Sequence, residues 1–303
     1  MSNIIKNPFC YSGSKSRILP LIQQNLPQNC TIMVDIFGGS GEVGLSLDFD
    51  NIFYSDKNTY IVDLIRAIKE MPLDYLLDNI IAIIDFWQLS KDDKKTFLNL
   101  RTNFNERVYK FLCHENKELR WEANLYLLVL CFYSFNHQII FNKEGKFSVP
   151  AGTHRSSYNK SIEQKLISYK QRLDELDDRF RIVNFDFRLM YDLICEKYNN
   201  NLENIFFFID SPYLLSDSTY DRTYGMKWSI QDEIDLYEMC NDIHNKGGKF
   251  MLTNLIKSKG VTNEYLLNFS KDFKTINTGA EFSNCNHQRK NKKSDTEVMV
   301  INY

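Results

Sequence analysis

Residues 35–47 read DIFGGSGEVGLSL, and residues 39–44 within them are a literal G-x-G-x-x-G. The apolar CTIMVDIF just upstream has the character of a strand running into the turn, and a helix is expected to open behind it. A glycine turn so placed brings backbone N–H groups and a helix N-terminus close to a ligand. A second apolar run, NIFYSD, ends on Asp56, an acid positioned to accept from ribose hydroxyls. Strand, turn, helix, strand and acid together spell an α/β nucleotide-binding unit. Two cofactor classes use such a unit. A dinucleotide pyrophosphate needs the third glycine for close helix packing. A methionine-derived cofactor needs room for a zwitterionic tail and an acid at the strand end, here Asp35, to take its ammonium. The turn alone does not choose between them.

Outward from this unit the pattern changes. From about Tyr60, segments such as YIVDLIRAIKE, LDYLLDNIIAIIDFWQL and ELRWEANLYLLVLCFYSF repeat apolar residues at three- and four-residue spacing, the period of helices. They end in QIIFNKEGKFSVPAG, two short apolar runs flanking Lys143-Glu144-Gly145, which is a hairpin signal. After the helical SIEQKLISYKQRLDELDDRF, strand grammar returns in RIVNF, IFFFI, GKFMLT and EVMVINY. A run as apolar as IFFFI fits a central parallel strand covered on both faces. Ser229, with Asp232 three residues on, reads as a helix N-cap, and Gly247 suits the left-handed position past that helix's end.

The 303 residues, 43% hydrophobic and 25% charged, suit a globular protein with a substantial core. No stretch approaches the roughly 20 apolar residues of a membrane span. Seven scattered cysteines without a C-x-x-C, and an N-terminus without an export signal, point to a reducing cytoplasm and to no metal site. Net charge is only −2, but its distribution is uneven. Lys6, Lys15 and Arg17 stand among the first twenty residues with no acid, seven Lys/Arg face two Glu between His137 and Arg172, and NHQRKNKK is basic again. Three such patches could converge on one phosphate-binding face.

IFFFIDSPYLL decides the chemistry. It puts Asp210-Ser211-Pro212-Tyr213 at the end of the most apolar strand, where open α/β sheets place ligands. These residues suit methyl transfer to an exocyclic amine. The N6 of adenine is a poor nucleophile because its lone pair is delocalised into the ring. Asp210 accepting one N–H and the Ser211 carbonyl accepting the other would localise that pair. Pro212 stiffens the turn, and Tyr213 offers a face to a flipped-out base.

At this point the chain resembles the Dam-like DNA adenine-N6 methyltransferases (D12 class, α-type motif order) over nearly its whole length. FCYSGSKSRILPLI is similar to the family's aromatic-x-G-x-K segment, which implies that Tyr11, Gly13 and Lys15 lie near cofactor and active site. DIFGGSGEVGLSL is similar to its F-x-G-x-G cofactor loop and implicates Asp35, Phe37, Gly38, Gly39, Ser40 and Gly41, with Asp56 on the ribose. NFDF supplies Asp186 and Phe187 against the cofactor's adenine, and FNKEGKFSVPAG is similar to the recognition hairpin. Two departures stand out. Ser211 replaces the first proline of the usual D-P-P-Y. Ile139-Ile140-Phe141 stands where relatives reading GATC carry basic residues, which argues against that site.

The resemblance implies a Rossmann-like, S-adenosylmethionine-dependent methyltransferase sheet with an inserted, mostly helical target-recognition domain. Residues 1–60 and 181–303 would form the catalytic part and 61–180 the insertion, with its hairpin near 138–150. The expected reaction is transfer of a methyl group from S-adenosylmethionine to N6 of a flipped-out adenine in double-stranded DNA, leaving S-adenosylhomocysteine, without a metal. Asp210, Ser211, Pro212 and Tyr213 would carry it. DNA would lie over Lys15, Asn142, Lys143, Lys146, Arg155, Arg289, Lys290 and Lys292, with Tyr220 ordering over the flipped base. A cognate restriction endonuclease is a candidate partner, and a monomer or weak dimer is expected. A catalytically silent DNA-binding relative and an NAD-dependent oxidoreductase are the alternatives. The second leaves the Asp-Ser-Pro-Tyr turn and the basic hairpin unexplained.

Overall fold

The computed structural model describes residues 4–11, 13–215, 228–279 and 295–303. Tyr220, Arg289, Lys290 and Lys292 lie outside the described residues. The parallel strands are β1 (Ile32–Asp35), β2 (Asn51–Ser55), β3 (Phe180–Val183), β4 (Ile205–Ile209) and β5 (Lys249–Ser258). Three further strands, β6 (Val261–Thr262), β7 (Lys274–Asn277) and β8 (Thr296–Ile301), are antiparallel to their neighbours. The sheet order is β3-β2-β1-β4-β5-β8-β7, with β6 paired to the end of β5.

The chain builds outward from β1 to β3 on one side, then returns to β4 beside β1 and builds outward on the other. The order reverses between β1 and β4, and open α/β sheets bind their ligands in the crevice outside the strand carboxyl ends at such a reversal. Asp35 pairs in register with Phe208, so Asp210 emerges from the sheet next to the end of β1. The sequence motifs at 35–41 and 210–213 therefore meet because of strand order, across some 170 residues of chain.

Alternation of side chains sorts the strands onto two apolar layers. Met33, Phe206, Phe208, Met251 and Met299 face one layer, and Val34, Phe207, Ile209, Leu252 and Val300 the other. The second layer is closed by α8 (Phe187–Lys197), α9 (Ile230–Asn245) and α10 (Glu264–Phe269). Helix α9 starts on the Ser229–Asp232 capping box and ends before Gly247 at φ +81°, as its sequence signals require.

The first layer is closed by α1 (Leu19–Gln24), α2 (Glu42–Ser46) and α3 (Thr59–Glu70), and then continues into the insertion. There α4 (Leu73–Phe86) and α5 (Lys94–Asn103) pack against the buried α6 (Lys117–Tyr133), and α7 (Lys160–Leu176) returns to pack on α2 and α3. One apolar cluster runs from Ile52 and Tyr54 of the sheet to Leu127 and Phe132 of α6. The insertion thus shares its core with the sheet.

The hairpin expected near 138–150 is short. Phe141 and Phe147 form an isolated antiparallel bridge, and the turn closes through Asn142 N–H to the Lys146 carbonyl at 2.8 Å and Ser148 N–H to the Ile140 carbonyl at 2.9 Å. Gly145 sits at φ +75°, and a Cβ there would come within 2.9 Å of the Tyr60 hydroxyl. Strand β7 was not legible in the sequence because KTIN is an edge strand with mostly exposed side chains and no apolar alternation.

Candidate active site

The glycine turn is held from beneath. Gly38 N–H donates to the Ser55 carbonyl at 2.8 Å, and Gly39 N–H donates to Asp56 Oδ2 at 2.9 Å. Asp56 Oδ1 accepts Asn58 N–H at 2.7 Å, so this carboxylate ties the turn to the end of β2. Two buried phenols finish the scaffold: Tyr54 donates to the Gly39 carbonyl at 2.6 Å and Tyr169 to the Ser40 carbonyl at 2.8 Å. A Cβ on Gly38 would lie 2.2 Å from the Tyr54 ring, and Gly39 and Gly41 take φ of +50° and +73°. Glycine is required at all three for those reasons. Tyr54 and Tyr169 escaped the sequence reading, since an apolar-patterned tyrosine looks like ordinary core. Tyr11 packs its ring under Gly39, and its hydroxyl accepts from Asn58 Nδ2 at 3.1 Å.

Asp35 is enclosed, 2% exposed, against α2. Its Oδ2 has no hydrogen-bond partner and would lie 3.2 Å from a Cβ on Gly44. Burial pushes its carboxyl up to about 8, opposed by the Gly44 N–H and assisted by the charges of Asp210 and Asp56. Burial likewise lifts Asp56 to about 6 against the two backbone N–H groups it accepts.

Asp210 stands at the mouth of the crevice inside a polar cluster. Its Oδ2 receives the Lys15 ammonium at 2.7 Å, while Oδ1 accepts from Thr253 Oγ1 at 2.7 Å and from the Tyr213 hydroxyl at 3.0 Å. The Tyr213 hydroxyl also lies 2.7 Å from Glu297 Oε1, and Thr278 Oγ1 donates to Glu297 Oε2 at 2.9 Å. Gly13 borders the cluster: a Cβ there would be 3.8 Å from Asp210 Oδ2, and its carbonyl accepts from Lys15 Nζ at 3.1 Å. Burial, with the nearby charges of Asp210 and Glu297, keeps the Tyr213 phenol protonated far above its usual range. Burial also raises Glu297, against the pull of Lys15 and Tyr213. Ser211 is 3% exposed, and its Oγ has no partner.

Thr253, Thr278 and Glu297 were not found from the sequence. They stand on β5, just past β7 and on β8, and the antiparallel addition of β8 beside β5 is what brings them to Asp210. Lys15, expected also on the DNA face, instead has its ammonium inside the cluster, at 6% exposure for the residue. Glu42 fixes that segment by accepting Ser14 Oγ at 2.8 Å and Lys15 N–H at 3.0 Å.

On the other side of the turn, Phe37, Phe187 and Trp228 form an aromatic wall with ring centroids 5.4–5.7 Å apart. Trp228 is held by its Nε1–H to buried Glu233 at 2.6 Å. Asp186 caps α8; burial raises its carboxyl, but Lys57 at 3.0 Å and the Arg188 N–H outweigh this and hold it below the ordinary range.

The basic patches are only partly a surface. Lys143, Lys146 and Arg155 are exposed. Lys170 is buried on Asp174 and the Lys69 carbonyl, and Arg172 binds the carbonyls of Leu45 and Leu47. Both stitch α7 to its neighbours. Asn142 uses its Oδ1 to close the hairpin, accepting the N–H groups of Glu144 and Lys146 at 3.0 and 2.9 Å. Among the described residues no group of acids, cysteines and histidines has metal-holding geometry, and no helix is long and apolar enough to cross a membrane.

The model of the D12 class N6 adenine-specific DNA methyltransferases matches residues 11–284. The chain is 28% identical over 304 residues to the type II methyltransferase M.FokI of Planomicrobium okeanokoites and 29% identical over 306 residues to the modification methylase StsI of Streptococcus sanguinis. These alignments cover 100% and 99% of this chain but 43% of each relative, so the chain spans less than half the length of the curated relatives it matches. A DNA adenine methylase of Vibrio cholerae is 26% identical over 161 residues, 53% of this chain and 52% of that protein. The match extends from the Lys15 segment through the glycine turn, the insertion and the Asp210 turn, and the chain belongs to the D12 class N6 adenine-specific DNA methyltransferase family.

Proposed function

We propose that the chain transfers a methyl group from S-adenosylmethionine to the exocyclic N6 of a flipped-out adenine at a specific site in double-stranded DNA. The observation that carries this reading is the place of Asp210: a carboxylate at the carboxyl end of a central strand, oriented by Thr253, Lys15 and Tyr213, next to the glycine turn. Division of labour follows the chain, with 1–60 and 181–303 as the catalytic part and 61–180, including the exposed Lys143 and Lys146, as the part that meets the DNA target.

The residues present fit the cofactor. The aromatic wall of Phe37, Phe187 and Trp228 suits a purine face, with Asp186 at its rim and Asp56 beside the turn for the ribose. When bound, S-adenosylmethionine supplies an electrophilic methyl on a sulfonium. The protein's part is orientation and electrostatics. Asp210 accepts one N6–H and the Ser211 carbonyl the other, which localises the lone pair on nitrogen. Tyr213 offers its ring to the base and, with its phenol protonated, holds no charge against it. Serine carries the same main-chain carbonyl as proline, so Ser211 preserves that contact. The names of the relatives, modification methylases among them, support a restriction endonuclease as partner.

The test uses purified protein, methyl-labelled S-adenosylmethionine and unmethylated bacterial DNA, digested to nucleosides and resolved by mass spectrometry. Label is expected in N6-methyladenine. Asp210→Ala should lower that signal by about 1,000-fold or more, with cofactor affinity retained. DNA binding with no label in any base would favour the silent relative instead.

A further inference from the structure

Glu297 has no part in the scheme above, yet its side chain is 2% exposed and faces the reacting group. A carboxyl so buried must be held by something. It is held by Thr278 Oγ1 at 2.9 Å and the Tyr213 hydroxyl at 2.7 Å, with the Lys15 ammonium just beyond contact at 3.8 Å. Among the described residues, the charged and titratable groups facing it are Lys15, Asp210 and Tyr213.

Lys15 occupies a place that the target needs. Its ammonium bonds Asp210 Oδ2 and lies 5.4 Å from the centroid of the Tyr213 ring, the face offered to the base. Asp210 Oδ1 already accepts from Thr253 and lies beside the Tyr213 hydroxyl, which leaves Oδ2 as the oxygen for the amine. An ammonium left on that oxygen would drain the density that localises the lone pair, and would add positive charge beside a sulfonium. Expelling it onto the Gly13 carbonyl alone, with no second carboxylate, would strand a buried charge.

The geometry points to Glu297 as a positioning residue: it receives the Lys15 ammonium when the target amine takes over Asp210 Oδ2. No bond forms or breaks in this handover, and the lysine's charge stays compensated throughout. The shift needed is from 3.8 Å to contact, within reach of the last lysine torsions. The inference rests on the methyl-transfer reading above.

The test compares wild type with E297Q in the labelled-methyl assay across pH. Glutamine keeps an acceptor for Tyr213 but not the charge that draws Lys15. Turnover is expected to fall on the order of 100-fold with cofactor affinity unchanged. In wild type the acid limb of kcat follows ionisation of Glu297, rising with pH, and in E297Q it moves to lower pH. Because the glutamate acts through the lysine, K15Q/E297Q should be no slower than K15Q. Wild-type turnover and pH profile in E297Q overturn the handover, as does a double variant well below K15Q. If circular dichroism shows E297Q unfolded, wild type against K15Q decides: loss of the acid limb in K15Q supports the handover and its persistence overturns it. A wild type that labels no adenine sinks the methyl-transfer reading itself, and the handover with it.

Discussion

At the scale of single residues, the buried acids set how stability follows pH. Asp35 is pushed up to about 8 when folded, from an ordinary 3.8. Between those values the folded chain holds a proton that the unfolded chain has released, so stability falls as pH rises through that window. Wild type should therefore melt at a lower temperature at pH 8 than at pH 5, and Asp35→Asn should flatten that difference in a calorimetric scan. An unchanged slope in the variant would assign the dependence elsewhere. Ser211 makes the opposite kind of prediction. Its buried hydroxyl lacks a partner, a loss of about 1–3 kcal/mol. Ser211→Ala should raise Tm, while turnover stays within about threefold because the proposed contact uses the carbonyl. A tenfold loss of rate would give the hydroxyl a role at the ligand.

Among elements, the hairpin depends on a side chain far from its tip. Asn105, in a π-helical turn over Phe104–Val108, pairs with both backbone groups of Phe147: Nδ2 to the carbonyl at 3.0 Å and Oδ1 from the N–H at 2.8 Å. It acts as the missing partner strand of a hairpin that has a single bridge of its own. Asn105→Ala removes two partly buried hydrogen bonds, about 2 kcal/mol. We expect KM for DNA to rise with cofactor affinity unchanged, since the glycine turn is held by other residues. Equal losses of both affinities, measured by titration, would place the hairpin in the general scaffold rather than in recognition. The glycine turn itself was readable from residue types, because positive φ and close approach demand glycine. Its anchors Tyr54 and Tyr169 were not readable, because a tyrosine in an apolar run gives no sign of where its hydroxyl ends.

For the whole molecule, the continuous cluster from Ile52 through Ile65 to Phe132 couples sheet and insertion. A chain joining residue 60 directly to 181 would lose α3 to α7 and expose the apolar face of the sheet. It should show no cooperative thermal transition, whereas an insertion with a core of its own would leave a folded remainder. The proposed division into catalytic and recognition parts would then be one of roles rather than of folding units.

Apolar runs, three- and four-residue spacing, glycine positions and the Asp-Ser-Pro-Tyr turn are local, and they were enough to mark the parallel strands, the helical insertion and the acid proposed to face the target. What gathered around that acid was settled by strand order. The reversal between β1 and β4 set the glycine turn beside Asp210, and antiparallel β8 brought Glu297 to Tyr213. Lys15 was expected near the active site and also on the DNA face, but nothing local named the group its ammonium would meet. Only the packed crevice, where burying an ammonium requires a carboxylate, turned it onto Asp210.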